Sequence, residues 1–243
     1  MDPIWAVVAG RMGSSRAPGK TMASLAGRPS LWHIVQRLRR MPELDGAVIA
    51  TTERPEDDAI RTLAREAGIP CYSGSVDDVL GRTLEAARSV GARTIVQVTG
   101  DCPLVDAGVV AEAVATYVAE RADYVSNRLH GYTYPDGYDV EVFGLALLEE
   151  VDAATQDPYD REHVTPYVYR HPDRYRLLGV EAAGRRRRPE LHLSLDTAQD
   201  VALMREIYAA VWRPQRDFTI DDILDLLDAR PDLAAAAAAP EAT

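Results

Sequence analysis

A continuous apolar run, Ile4–Ala9, empties directly into Gly10-Arg11-Met12-Gly13-Ser14-Ser15-Arg16-Ala17-Pro18-Gly19-Lys20. This junction constrains the fold more than any other stretch. The run reads as a buried strand, and the loop after it combines small residues with two arginines and a lysine. Glycine and serine let backbone N–H groups approach a ligand closely, and three cations around them describe a polyphosphate site. Among the 27 Lys plus Arg residues, Lys20 is the only lysine. An arginine-using chain that keeps one lysine here points to a need for a compact ammonium rather than a planar fork. The alternative is a glycine-rich turn with solvated charges.

The apolar runs recur at helical intervals. Residues 47–51, 69–72 and Thr94–Thr99 read as further strands. Helices are expected over 30–40 (capped by Ser30), from Pro55 to Gly68, over 76–90, and over 106–121 with Asp106 as cap. Residues 123–125 return to extended chain. Strand and helix alternating in this way imply an α/β fold, a mainly parallel sheet with helices on both faces. Residues 126–143 break the rhythm with turn chemistry and apolar–acidic alternation, and read as an inserted hairpin or lid at the sheet edge. Short helices are expected over 145–154 and 161–169, strands over 174–180 and 191–195, and helices over 200–212 and 219–230. One domain over 1–232 and a flexible alanine-rich tail over 233–243 complete the expectation.

A net charge of −11 argues against a nucleic-acid partner, whose phosphates it would repel, but not against a small anion held by local cations. Cys71 and Cys102 cannot build a disulfide framework, and no apolar run is long enough to span a bilayer. A cytoplasmic protein that binds neither nucleic acid nor membrane is expected.

Gly13 and Gly19 enclose five residues before Lys20-Thr21, where a P-loop needs four, and Gly27-Arg28-Pro29 interrupts the helix a P-loop requires. Thr99-Gly100-Asp101-Cys102-Pro103-Leu104 follows a strand, at the end where parallel sheets bind ligands. Asp101 there suits Mg²⁺ beside phosphate, or else a tight turn. Asp196, ending the apolar stretch 191–195, suits a second Mg²⁺ ligand or a helix N-cap. The segment 157–167, dense in charge and hydroxyl, suits a polar acceptor or a capped surface helix. Cys102 reads as a packed residue, and the four arginines 185–188 as a solvated turn or subunit contact.

Six stretches together resemble the cytidylyltransferases that activate acidic sugars: 11–20, 74–82, 99–104, 134–137, 161–165 and Asp196-Thr197. The likeness covers about residues 4–208 and is strongest to the spore coat polysaccharide branch. It implies the nucleotide-diphospho-sugar transferase (Rossmann-like) fold and CTP as substrate. It places Arg11, Ser14, Arg16 and Lys20 on the triphosphate, with Lys20, Arg16 and Asp101 as the catalytic set. Ser75 and Arg82 would lie near the base, and Ala9, Gly10, Gly13, Thr51 and Thr99 would complete the nucleotide site. Asp101 and Asp196 would hold Mg²⁺, while Tyr134, Asp136, Arg161, Glu162 and His163 would face a small acidic acceptor, an acidic sugar or a phosphonate. The resemblance also implies a homodimer. Ala17 stands where the family has leucine, and Thr99 where the octulosonate enzymes carry a cytosine-reading glutamine.

The implied reaction is attack of an acceptor oxygen on the α-phosphorus of CTP, with release of pyrophosphate. Two alternatives share the fold: a silent nucleotide-binding regulator or scaffold, and a glycosyltransferase that consumes nucleotide-sugars.

Overall fold

The computed structural model describes residues 2–14 and 17–239. In β1 (Ile4–Ala9), Ala6 and Val8 enter one core layer and Val7 the other, so the strand is buried on both faces. A two-stranded ribbon, β2 (Ser24–Leu25) with β3 (Arg28–Pro29), leads into α1 (Ser30–Arg39). The alternation continues through β4 (Gly46–Thr52), α2 (Asp58–Ala67), β5 (Cys71–Gly74), α3 (Val79–Ser89), β6 (Thr94–Thr99) and α4 (Ala107–Glu120). Next come β7 (Tyr124–Ser126), β8 (Glu141–Gly144), α5 (Leu145–Ala154), α6 (Pro158–His163), α7 (Pro166–Tyr169) and β9 (Leu177–Gly179). Three helices finish the chain: α8 (Ala198–Val211), α9 (Ile220–Ala229) and α10 (Pro231–Ala236).

The strands form one sheet in the order β5-β4-β1-β6-β8-β7-β9, in which only β8 runs against its neighbours. Leu31, Ile34 and Leu38 of α1, Val109 and Val110 of α4, and apolar residues of α8 and α9 cover one face. Leu80 and Leu84 of α3, with Leu145, Leu148 and Val151 of α5, cover the other. Asp106 caps α4, accepting from Gly108 and Val109 N–H, and its second oxygen accepts from Ile220 N–H, tying α9 to α4. The expected α/β sheet is present, mainly parallel and covered by helices on both faces.

The differences have local causes. Ser30 is not a cap: Pro29 occupies that position, and the buried Ser30 hydroxyl finds no partner among the described residues. The helix expected from 76 starts at Val79 because Asp78 caps it through Gly81 N–H. The helix expected over 161–169 is broken by Val164, at φ 72°, ahead of Pro166. Residues 191–195 are not a strand; His192 and Leu191 make isolated bridges to Asp136 and Ala238.

Segment 126–143 is not an edge flap. β8 is an interior strand between β6 and β7, and the loop before it is fixed by Asn127, which donates to Tyr138 O and accepts from Val140 N–H. Gly137, at φ 98°, lies so close to Leu193 O that a Cβ would fall 2.4 Å from it. The tail from 233 is docked rather than flexible through Ala239. Leu233 and Ala237 are buried, and Ala237 O accepts from His192 N–H. An alanine face, short as it is, finds a complementary surface that sequence alone does not reveal.

Candidate active site

The first loop is organised from beneath by Asp57. Its Oδ1 accepts from Met12 N–H at 2.7 Å, and its Oδ2 takes the Thr52 hydroxyl. Met12 O then accepts from Ser14 and Gly19 N–H, which folds the loop back on itself. Gly19, at φ 75°, turns the chain into a single turn of 3₁₀ helix, Lys20–Met22. Across from it, Gly100 N–H donates to Ala9 O at 2.8 Å, joining the carboxyl ends of β1 and β6. A Cβ on Gly100 would lie 2.8 Å from that same oxygen, so only glycine permits the approach.

Lys20 sits between two carboxylates. Its Nζ is 2.9 Å from Asp101 Oδ2 and 3.1 Å from Asp196 Oδ1, and its side chain is 12% exposed. Burial alone would lower the ammonium's pKa, yet Asp101 and Asp196 together hold it above the ordinary lysine value. Residues 81 and 176 positions apart from Lys20 thus converge on one point. Two hard carboxylate oxygens around a point occupied by a cationic group are a donor set that fits Mg²⁺. Beside them, His192 Nδ1 lies 2.6 Å from Asp136 Oδ2, and Asp136, His192 and Asp196 each bring one donor atom within 4.8 Å of the others.

A cavity of about 500 Å³ opens at the carboxyl ends of β6 and β7, lined in part by Thr99, two residues before Asp101. Gln97, Thr99, Tyr124, Arg128, Asp139 and Glu141 line its sheet side. Tyr159, His163, Thr165 and Tyr169 close it from α6 and α7. Strand alternation explains the acids: Val140 and Val142 enter the core, which turns Asp139 and Glu141 to the opposite face. Arg128 pairs with Asp139 at 2.6 Å and lies over the Tyr132 ring. Burial outweighs that pair and pushes Asp139 up to about 7.

The sequence profile of the cytidylyltransferase family matches residues 5–226. The chain belongs to that family. It is a CTP-dependent nucleotidyltransferase, 31% identical over 241 residues to the spore coat polysaccharide biosynthesis protein SpsF of Bacillus subtilis, with 96% of this chain and 98% of that one covered. A solved cytidylyltransferase from Leptospira borgpetersenii superposes with a TM-score of 0.89 at 27% identity, covering 96% of this chain and 97% of the other. The fold is also that of CMP:2-keto-3-deoxy-manno-octonic acid synthetase, solved with CTP, at a TM-score of 0.63 and 15% identity over 85% and 98% of the chains.

In this cytidylyltransferase the other expected nucleotide residues ring the sheet end. Ala9, Gly10, Thr51 and Thr99 stand at the ends of β1, β4 and β6. Gly13 and Ser14 lie in the loop, where Ser14 Oγ accepts from Ala17 N–H. Arg82 is buried, its Nη1 donates to Ser75 O, and its Nε has no partner among the described residues. Arg16 lies outside the described residues. Cys102 is fully buried, and burial first, then Asp101, pushes its thiol far up, consistent with packing.

The expected acceptor residues scatter. His163 lines the cavity, and Glu162 sits beside the loop, 3.8 Å from Arg11. Tyr134 is instead packed in the core with its hydroxyl on Glu112, and Asp136 pairs with His192. Arg161 is drawn away by two carboxylates: it bonds Asp78 and, at 2.7 Å, Asp152, with 13% of its side chain exposed. Sequence reasoning passed over Gln97, Tyr124, Arg128, Asp139 and Glu141. A signal existed for two of them: Gln97 is the polar residue in the middle of an apolar strand, and Glu141 is an acid in an alternating one.

Proposed function

We propose that the protein transfers CMP from CTP to a small acidic acceptor, releasing pyrophosphate, with the acceptor seated in the cavity lined by Thr99 and Arg128. The observation that carries this reading is the convergence of Lys20, Asp101 and Asp196, with a cavity of about 500 Å³ reaching Thr99 at the end of the strand that leads to Asp101. Phosphoryl transfer needs positioning and charge stabilisation rather than a protein nucleophile. The loop from Gly10 to Lys20 carries three cations in its sequence, Arg11, Arg16 and Lys20, for the triphosphate. Thr51, Ser75 and Arg82 border the base, and the unpartnered Arg82 Nε supports a hydrogen-bonding ligand there.

Asp101 and Asp196 would hold Mg²⁺, which when bound supplies positive charge to the phosphate oxygens. Lys20, whose ammonium lies at the same point, would offset charge on the phosphates and the leaving pyrophosphate. Arg128 is the cavity's arginine and takes the acidic group of the acceptor. As the family resemblance implies, the working form is a cytoplasmic homodimer. The test measures pyrophosphate from each of the four nucleoside triphosphates, with pooled sugar acids and phosphonates, with and without Mg²⁺. Release from CTP that requires both an acceptor and the metal is expected. Nucleotide binding without turnover on any acceptor would replace the transferase reading with the regulator reading, and release without acceptor would replace it with simple hydrolysis of the nucleotide.

A further inference from the structure

Gln97 and Glu141 are cross-strand partners in the β6–β8 register, on the cavity face of the sheet. Gln97 Nε2 donates to Glu141 Oε2 at 3.0 Å. A carboxylate accepts only, so this bond fixes the amide with its nitrogen toward Glu141 and its oxygen turned away. That oxygen, Gln97 Oε1, is buried and has no hydrogen-bond partner among the described residues, in a residue only 9% exposed. Glu141 Oε1 is already filled, accepting from the Tyr124 hydroxyl at 2.7 Å and the Thr165 hydroxyl at 3.0 Å.

What remains is a small group of empty acceptor sites. Gln97 Oε1 has two lone pairs free and Glu141 Oε2 has one. No described cation forms an ion pair with Glu141, whereas Arg128 is engaged by Asp139. A hydroxyl brings one donor and acceptors of its own, and leaves most of these sites unmet. A primary ammonium brings three donors, no acceptor and the missing positive charge.

We propose that the acceptor carries a primary ammonium group that docks between Gln97 and Glu141. This inference rests on the reading of the cavity as the acceptor site and deepens it: the acceptor is zwitterionic, with its acid toward Arg128 and its amine toward Glu141. Burial pushes the Glu141 carboxyl above its usual value, and a bound cation is what holds such a group ionised.

The test is calorimetric binding of two matched pairs to the whole protein: aminoethylphosphonate against hydroxyethylphosphonate, and neuraminate against N-acetylneuraminate. The ammonium member of at least one pair should bind about tenfold tighter or more, as expected for a charge-assisted hydrogen-bonded group. Glu141→Gln keeps the shape and removes the charge, and Gln97→Met removes the free oxygen; each should bring the ratio close to unity. Equal or tighter binding of the neutral members in both pairs overturns the proposal, as does a ratio untouched by both variants, or no binding by any of the four. Pyrophosphate release from CTP, followed on the same samples, separates the two readings. An ammonium preference without release removes the transferase reading alone, and release with the neutral members alone removes the ammonium site alone.

Discussion

Lys20 Nζ lies 2.9 Å from Asp101 Oδ2, an ammonium from the first loop held by a carboxylate from the end of a strand 81 positions later. The pair makes the spherical shape of the cation matter. Lys20→Arg should lower kcat at least about tenfold, because the planar guanidinium is wider and cannot sit between Asp101 and Asp196 in the same space. Steady-state rates of pyrophosphate release check this; wild-type rates would show that any positive charge suffices.

Asp101→Asn keeps the volume and removes the charge. Mg²⁺-dependent release should fall by about a hundredfold or more, while circular dichroism and the melting temperature stay near wild type. Unchanged release would move the metal away from this carboxylate.

Asp139 gives a pH dependence of a definite sign. Its folded pKa is pushed up to about 7 from an ordinary 3.8, chiefly by burial. Between these values the folded protein holds the proton and the unfolded chain has lost it. This group's contribution to stability is therefore favourable below the ordinary value, declines as pH rises through that window, and is at its least above about 7. Asp139→Asn should flatten that part of the stability profile, read by urea unfolding at about pH 5.5 and about pH 8. Protonation of Asp139 also releases Arg128, so an acidic acceptor should bind more tightly as pH falls through 7 in the wild type and without that step in the variant.

Arg161 is a test of structure rather than of acceptor contact. It joins Asp78, the cap of α3, to Asp152 on α5. Arg161→Met should lower stability by about 1–3 kcal/mol, an amount set by two partly exposed carboxylates losing a largely buried partner. Chemical denaturation measures the loss. A change confined to the acceptor KM, with stability unmoved, would return Arg161 to the cavity.

Much of this protein is legible along the chain because the signals are local. Apolar runs such as Ile4–Ala9 and Thr94–Thr99 announce strands buried on both faces, and Gly68, at φ 62°, ends α2 where the glycine stands. The sequence also singles out Asp101 and Asp196, each just past an apolar stretch, and Lys20, the one lysine of the chain, at the end of the small-residue loop after β1. What it could not say is which charges are already spoken for. Arg161 and Tyr134 carry the right chemistry in the right motifs, yet Asp78, Asp152 and Glu112 take them from distant parts of the chain. The cavity is decided entirely by tertiary pairing: Gln97 and Glu141 meet across 44 positions because β8 runs antiparallel between β6 and β7. Strand neighbours are chosen by the packing of whole layers, so a polar residue such as Gln97 stands out within its own strand while the identity of the partner it meets does not.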